Sequence, residues 1–163
     1  RIGGNTPKEM SQLFIDAQKF KGTSLIEVMQ NCVIFNDGCF TSITDKDVKE
    51  DQQIFLEHGK PMIFGKGHNK GLVLNGLKLE VVTIGENGIT ENDLLVHDAK
   101  CEDPTLHQML VRMSHPVAVG IIRSFEDLTF EEREMELTKE VSKKSKFTKV
   151  DELFFSGDTY EVK

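Results

Sequence analysis

The residues of this chain that could do chemistry are first of all its three cysteines, Cys32, Cys39 and Cys101. Cys32 comes just after an apolar run, within residues 22–38, which read GTSLIEVMQNCVIFNDG. A thiolate on a loop at the end of a strand can bind a metal or act as a nucleophile. A cysteine in that position is more often a small buried hydrophobic residue. The residues alone leave both interpretations open and favour the second.

The spacing of the cysteines matches no common zinc or iron–sulfur motif within the 163 residues. Cys39 lies seven residues after Cys32, and Cys101 is far away in the sequence. If Cys32 binds a cluster, the other ligands must therefore lie outside this chain.

The histidines show no spacing typical of a metal site, and we expect them on the surface or as helix caps. His107 is predicted to lie on the polar side of its helix. His97 and Asp98 could form an acid–base pair, but neighbouring residues in a strand point in opposite directions, which argues against it. The five histidines are His58, His68, His97, His107 and His115.

Residues 65–71, GKGHNKG, contain three glycines and two lysines. A phosphate-binding loop needs backbone amides that converge at a helix N-terminus. The flanking residues here are strand-like and the P-loop spacing is absent. The stretch is therefore predicted to be a hairpin turn.

The pattern of apolar residues predicts an α/β fold. A helix is predicted from Pro7, with Thr6 and Glu9 forming a capping box and with no strand before it. Nearly continuous apolar runs at Ser24–Gln30 and Val117–Ile122 are typical of buried parallel strands. The buried face of the first helix is predicted from the spacing of Met10, Leu13, Phe14 and Ala17.

Between these strands lies a segment of different character. Residues 40–52 are polar and predict a loop or short helix. Short apolar runs follow, and Asn75-Gly76 between two alternating runs predicts an antiparallel hairpin unit inserted beside the main sheet. Gly85–Asn92 is predicted to be a turn region, and Leu94–Asp98 a short strand.

Two helices are predicted in the C-terminal third. One begins at Asp103, which would cap it. Its predicted buried face consists of Leu106, Met109, Leu110 and Met113. The other runs from Phe130 to Lys144, with acidic first turns and a basic end that complement the helix dipole. The apolar residues 153–155 in the tail are predicted to dock on the domain or on a partner.

Composition excludes several classes of protein. The hydrophobic content of 38% and the charged content of 29% are ordinary for a soluble globular protein. No apolar run approaches the roughly 20 residues that cross a bilayer. A net charge of −7 argues against nucleic acid or an anionic membrane as the main partner. Three irregularly spaced cysteines favour a reducing cytoplasm over a disulfide framework.

Four segments in consistent order carry a resemblance to a known family. They are residues 22–38, FLEHGKPMIFG at 55–65, KGLVLNG at 70–76 and DLLVHDAK at 93–100. Together they resemble the beta subunit of 2-oxoacid:ferredoxin oxidoreductases, and most of all the 2-oxoglutarate type. The resemblance runs from Thr6 to about Arg123 and covers only the C-terminal half of that subunit.

The resemblance implies a thiamine-diphosphate-binding α/β fold. With an alpha subunit, such an enzyme converts a 2-oxoacid and coenzyme A to acyl-CoA and carbon dioxide. Electrons pass through a 4Fe-4S cluster to ferredoxin. Cys32 matches the position of the fourth cluster cysteine, whereas Cys39 has no role in the pattern. The acidic net charge offers no obvious landing site for an acidic ferredoxin.

The sequence also departs from that family pattern. The Gly-Asp-Gly-Asp run that holds Mg2+ and thiamine diphosphate is absent, and so is the CxxC pair of cluster ligands. Both are expected upstream of Arg1, so the fragment alone is predicted to be inactive. The implied organisation is residues 1–53 as the last part of the thiamine-diphosphate-binding core, 54–100 as the hairpin unit and 101–163 as the C-terminal region.

Two other hypotheses remain open. The chain could be a non-catalytic α/β module that docks to a partner through its hairpin unit and its apolar tail. It could also belong to a thiamine-diphosphate enzyme that has no cluster, such as a decarboxylase. The gene sequence upstream of Arg1 tests the first of these, because the absence of both CxxC and Gly-Asp-Gly-Asp there would contradict the enzyme hypothesis. Loss of a cluster on replacement of Cys32 in the full complex tests the second.

Overall fold

The structure of the chain is a computed structural model that describes residues 1–162. Its contacts divide the chain into two units, residues 1–126 and the residues from 127 onward, and each is described by itself. In chain order, the first unit contains β1 (Ile2–Gly3), α1 (Pro7–Lys19), β2 (Val28–Met29), α2 (Thr41–Thr44), α3 (Lys49–Gln52), β3 (Gln53–Leu56), β4 (Ile63–Phe64), β5 (Lys70–Asn75), β6 (Lys78–Thr83), α4 (Thr105–Arg112) and β7 (Val117–Gly120).

Parallel strand pairs organise the first unit. β1 pairs with β2, and β3 pairs with β7 over four residues from Gln53↔Val117 to Leu56↔Gly120. The two pairs are joined because Arg1 and Gly120 exchange backbone hydrogen bonds, at 2.8 Å from the Gly120 amide and 3.1 Å from the Arg1 amino group. Parallel strands with helices between them confirm the α/β class, and β7 confirms the strand predicted at 117–122.

The predicted hairpin unit is present. β5 and β6 are antiparallel, with Asn75 opposite Lys78, so Gly76 and Leu77 form the two-residue turn. Gly76 has a φ of +59°, which suits the mirror-image turns that connect twisted strands. β4 adds to the other edge of β5, and the glycine-rich residues 65–69 connect the two strands. They form a hairpin loop, as predicted.

The hydrophobic core of the first unit lies between the β3–β7 pair, the hairpin unit and α4. Leu110 of α4 is fully buried against the strands. Ile2 of β1 and Met29 of β2 are also buried, outside this cluster. The buried cluster consists of Ile54, Leu56, Met62, Phe64, Leu72, Leu110 and Ala118. Within residues 1–162, no helix combines the length and the apolar character that crossing a membrane requires.

Some of the sequence predictions for residues 1–30 are wrong. A strand, β1, precedes the first helix. The Thr6 side chain does not cap α1, because its hydroxyl donates to the Gly3 carbonyl at 2.8 Å instead. The strand predicted over Ser24–Gln30 is reduced to two residues, since β1 offers only a two-residue partner, and Leu25 is 96% exposed.

Two predictions for residues 94–105 also need correction. The segment 94–98 is not a strand; it contains a single bridge between Pro61 and Val96. Asp103 accepts a hydrogen bond from the Thr105 amide at 2.8 Å, yet Pro104 occupies the cap position of α4. The polar stretch at 40–52 does form short helices, α2 and α3, as predicted.

The prediction that the five histidines lie on the surface or cap helices is wrong for two of them, and His107 is not on an exposed polar side of its helix. His97 is 1% exposed and His107 is 4% exposed, and their rings meet edge to face with centroids 6.0 Å apart. The Nε2 of His97 lies 2.9 Å from the Ile121 carbonyl, and that of His107 lies 2.8 Å from the Asp98 carbonyl. A carbonyl oxygen only accepts hydrogen bonds, so both rings donate through Nε2. The acceptors are backbone carbonyls, and a pattern of side chains in the sequence does not show that they lie near the two histidines.

The second unit contains two helices, α5 (Phe130–Lys144) and α6 (Val150–Phe154). α5 has the predicted bounds. Thr129 and Glu132 form its capping box, in which the Thr129 hydroxyl accepts from the Glu132 amide at 3.2 Å. The side chains of residues 153–155 are all exposed in the described part of the chain, and their docking on a partner stays a prediction.

The close approach of Gly120 to β3 gives a testable prediction. Gly120 has a φ of +92°, and a Cβ there would lie 2.7 Å from the Leu56 carbonyl oxygen. We expect Gly120→Ala to lower the free energy of unfolding by about 2–4 kcal/mol, as backbone strain and overpacking add. The measurement is urea denaturation of the chain. Gly85→Ala is the matched control, because Gly85 has a φ of +90° and open space around it, so about 1 kcal/mol is expected. Equal losses for the two variants would contradict the packing argument.

Burial of His97 predicts a pH dependence of stability. Burial, and secondarily the neighbouring His107, lowers the pKa of His97, against the opposing effect of the Ile121 carbonyl. The unfolded chain therefore binds more protons than the folded chain as the pH falls below about 6.5, and stability decreases there. We expect His97→Gln to be less stable at pH 7.5 but to lose less stability between pH 7.5 and pH 5.5, measured by urea denaturation.

The control for this prediction is His68→Asn, which removes an exposed histidine from the loop between β4 and β5. Its stability should fall with pH as steeply as that of the unmodified chain. An unchanged slope in His97→Gln would show that His97 is not the titrating group.

Candidate functional site

The loop after β2 is held in a defined shape by Asn31. The side-chain amide of Asn31 donates to the Asp37 carboxylate at 2.7 Å. The side-chain oxygen of Asn31 accepts from the Gly38 backbone amide at 2.8 Å. Inside this clamp, the Asn36 amide donates to the Cys32 carbonyl at 2.9 Å. The turn chemistry predicted from Asn36-Asp37-Gly38 is present, and Asn31 supplies the hydrogen bonds that close the loop.

Cys32 is exposed at the start of this turn, so the interpretation of it as a small buried hydrophobic residue is wrong. The backbone amides that follow it, first that of Phe35 and then those of Ile34 and Asn36, lower the pKa of the Cys32 thiol. An accessible thiol with a lowered pKa has the chemistry of a metal or iron–sulfur ligand.

Three exposed apolar side chains follow Cys32 directly in the loop. Val33, Ile34 and Phe35 all point away from the protein, and Phe35 is 89% exposed. Three consecutive exposed apolar residues are unusual on a free surface. A hydrophobic shell around a metal ligand controls water access and local polarity, so these residues suit a ligand that becomes buried when a further surface covers it.

The β1–β2 pair anchors the loop. The Ile2 amide donates to the Glu27 carbonyl and the Gly4 amide to the Met29 carbonyl, both at 2.9 Å. A Cβ at Gly4 would lie 3.3 Å from the Met29 carbonyl, so the two segments approach closely. Next to the loop is a cavity of about 400 Å³ whose lining includes Asn31 and Val33. The position of Cys32 therefore depends on the short β1–β2 ladder.

The other cysteines form no disulfide with Cys32 in the described chain. Cys39 is partly buried and Cys101 is exposed, and all three thiols are free. Among residues 1–162, no three histidine, cysteine, aspartate or glutamate side chains come together in a way that could hold a metal ion. Within the described chain, Cys32 can thus be a single ligand of a site that other residues must complete.

His97 and Asp98 do not form an acid–base pair. The Asp98 carboxylate lies 3.3 Å from Nδ1 of His58, while the His97 ring points to the Ile121 carbonyl. This is the divergence expected for sequence neighbours in extended backbone.

In the glycine-rich loop, the Gly65 amide donates to the Glu50 carbonyl at 2.8 Å. Nearby, Lys70 pairs with Asp51 at 3.0 Å and lowers the pKa of that carboxyl.

A groove of about 550 Å³ between α1, α4 and the end of β7 was not predicted from the sequence. Arg1 lies on its rim with its guanidinium 2.7 Å from the Glu27 carboxylate, and His107 forms part of its wall. The apolar face of α1 is only half-buried beside it, with Phe14 exposed. The helical spacing of apolar residues in α1 predicted its apolar face. That spacing does not show whether another element covers the face or leaves it open as a groove.

Comparison with known proteins gives one informative match. No family model matches the chain, and no solved structure matches it. The chain is 33% identical over 128 residues to the 2-oxoglutarate oxidoreductase subunit KorB of Mycobacterium tuberculosis (strain ATCC 25618 / H37Rv). The match covers 76% of this chain and 33% of the relative, so the chain spans about a third of the length of the curated relative that it matches. The resemblance found in the sequence is therefore confirmed, and the chain is a protein like the beta subunit of 2-oxoacid:ferredoxin oxidoreductases.

Proposed function

We propose that this chain is part of an oxidoreductase subunit that passes electrons from the oxidation of a 2-oxoacid to ferredoxin. The observation that carries the proposal is the 33% identity over 128 residues to a 2-oxoglutarate oxidoreductase subunit. The printed name of that relative makes 2-oxoglutarate the first substrate to test. The geometry of the Cys32 loop supports the same proposal independently of the sequence match.

The proposed overall reaction consumes a 2-oxoacid, coenzyme A and two oxidised ferredoxins. It yields acyl-CoA, carbon dioxide, a proton and two ferredoxins that are each reduced by one electron. Thiamine diphosphate, bound with Mg2+, would supply the stabilised carbanion that decarboxylation requires. The residues described here do not provide its binding motif, so we assign that cofactor to a part of the subunit outside this chain.

We propose that Cys32 is one of the four thiolate ligands of a 4Fe-4S cluster. The thiol is exposed on a loop that Asn31 closes, and its lowered pKa favours the deprotonated form that binds iron. The amides of Phe35, Ile34 and Asn36 are placed to donate to sulfur, which tunes the potential of such clusters. The chain's own contribution would be to hold this thiolate and to shield one side of the cluster with Val33–Phe35.

Assembly with other subunits follows from the same proposal. The alpha subunit and the remainder of the beta subunit would cover the exposed apolar residues of the Cys32 loop. We propose that the complex works in the cytoplasm with ferredoxin as its electron acceptor.

A non-catalytic docking module remains the second candidate function. It is favoured by the exposed apolar residues of the second unit, among them Phe154 at 75% exposure. The two candidates differ in their requirement for Cys32, because a docking module has no use for an exposed thiolate in a closed loop.

The ligand assignment predicts the outcome of Cys32→Ala in the complete complex. We expect loss of the visible absorbance of the cluster and at least a ten-fold decrease in ferredoxin reduction with 2-oxoglutarate and coenzyme A. Loss of a direct ligand should reduce activity more than loss of a group that only hydrogen-bonds to a ligand. Cys39→Ala and Cys101→Ala are the matched controls and should retain both properties. An intact cluster spectrum in the Cys32 variant would refute the assignment.

The amide contacts at Cys32 predict the reactivity of the chain itself. We expect iodoacetamide to alkylate Cys32 faster than Cys101 near neutral pH, because both thiols are exposed and the backbone amides that follow Cys32 lower the pKa of its thiol. Peptide mass spectrometry over a time course gives both rates in one sample. Asn31→Ala should reduce the difference by opening the loop. Equal rates in the unmodified chain would show that the amides do not act on the sulfur in solution.

A further inference from the structure

Positive charge is concentrated in one short segment of this acidic chain. Residues 139–149, called here the basic segment, read KEVSKKSKFTK and contain five lysines and one glutamate, a net charge of +4. The whole chain has a net charge of −7, so the remaining residues together carry −11. An acidic partner would be repelled by most of the chain and attracted to this segment.

The helix dipole accounts for only part of this charge. Lys143 and Lys144 lie in the last turn of α5, where cations are stabilised by the helix dipole. Lys146 and Lys149 lie beyond the end of the helix, outside the turn in which that effect operates. A further reason is therefore needed for the lysines that follow α5.

The lysines of the basic segment differ from other lysines of the chain in their ion pairing. Lys60 pairs with Glu57 and Lys70 pairs with Asp51, whereas no lysine of the basic segment lies in an ion pair within the part of the chain that the structure describes. All five side chains are exposed. Their charges remain available to an external partner.

The backbone of the basic segment is ordered by local hydrogen bonds. The Ser145 hydroxyl accepts from the Phe147 amide at 3.1 Å and donates to the Phe147 carbonyl at the same distance. The Glu152 carboxylate accepts from the amides of Thr148 at 2.8 Å and Lys149 at 3.2 Å, which lowers the pKa of Glu152. The lysines are thus presented on a folded turn, so less entropy is lost when a partner binds.

Exposed apolar side chains adjoin these charges. Val150, Leu153, Phe154 and Phe155 are exposed on and after α6, directly beyond the last lysine. Aromatic residues beside complementary charges are typical of protein interfaces. Asp151 and Glu152 lie among them. A folded protein can place its own positive or polar groups opposite these two carboxylates, which a uniformly anionic membrane or nucleic acid cannot do. The surface therefore fits a compact acidic protein.

We propose that the basic segment, with the adjoining apolar residues of α6, is the docking surface for an acidic redox protein that receives the electrons of the complex. This inference rests on the proposed function, which requires a protein acceptor. The lysines steer the acidic carrier towards the complex, and the aromatic side chains supply the contact that holds it briefly.

The test uses the complete complex with four charge reversals, Lys143→Glu, Lys144→Glu, Lys146→Glu and Lys149→Glu. The probes are a strongly acidic 4Fe-4S ferredoxin and methyl viologen, a small acceptor that needs no protein docking. We expect the KM for ferredoxin to rise at least about ten-fold at low ionic strength, and the effect to shrink in high salt. Reduction of methyl viologen by 2-oxoglutarate and coenzyme A should stay unchanged.

A matched control carries the same total charge change elsewhere. Lys8→Glu, Lys46→Glu, Lys78→Glu and Lys100→Glu alter four exposed lysines of the first unit. A ten-fold rise in KM for the basic-segment variant alone supports the proposal, and equal changes in both variants, or none, overturn it.

Two further results separate this inference from its alternatives. No methyl viologen reduction by the unmodified complex would mean that the proposed function itself fails, and the inference would fail with it. Binding of the unmodified chain to phosphatidylserine vesicles that the charge reversals abolish, without any change in the KM for ferredoxin, would replace the protein partner with a membrane surface.

Discussion

The parallel pairing of β3 with β7 is the contact on which the first unit depends. It joins residues 53–56 to residues 117–120, and the intervening chain forms the hairpin unit and α4 that cover the same core. Gly120 allows this approach, because any side chain there would meet the Leu56 carbonyl. The exchange of hydrogen bonds between Gly120 and Arg1 then extends the sheet towards β1 and β2. The Cys32 loop is thus connected to the core through only two short strands.

Local patterns predicted the elements that are stabilised locally. The bounds of α5, the hairpin around Gly76 and the strand at β7 follow from capping residues, turn residues and continuous apolar character. The length of β2 could not be predicted, because it is set by a partner strand far away in sequence. The burial of His97 and His107 was missed for the same reason, since their acceptors are carbonyls that only tertiary structure brings near.

The candidate site was likewise predicted from the sequence only in part. That Cys32 matches a family position was visible in the sequence, and the turn chemistry around Asn36 and Gly38 was too. Its exposure was not predicted, because an apolar run before a cysteine is typical of a buried strand. The closing role of Asn31 and the three amides at the sulfur depend on the path of the backbone, which no residue pattern specifies.

The exposed position of Cys32 has a chemical consequence for the chain by itself. An accessible thiol of lowered pKa readily forms the thiolate that peroxides attack, giving first a sulfenic acid and then irreversible oxidation products. All three cysteines are free in the described chain, so no disulfide protects this sulfur. The same backbone amides that lower the pKa of the Cys32 thiol therefore make it vulnerable to oxidation. Under the proposed function, oxidation of this one atom would remove the chain from the pool that can be assembled into the complex.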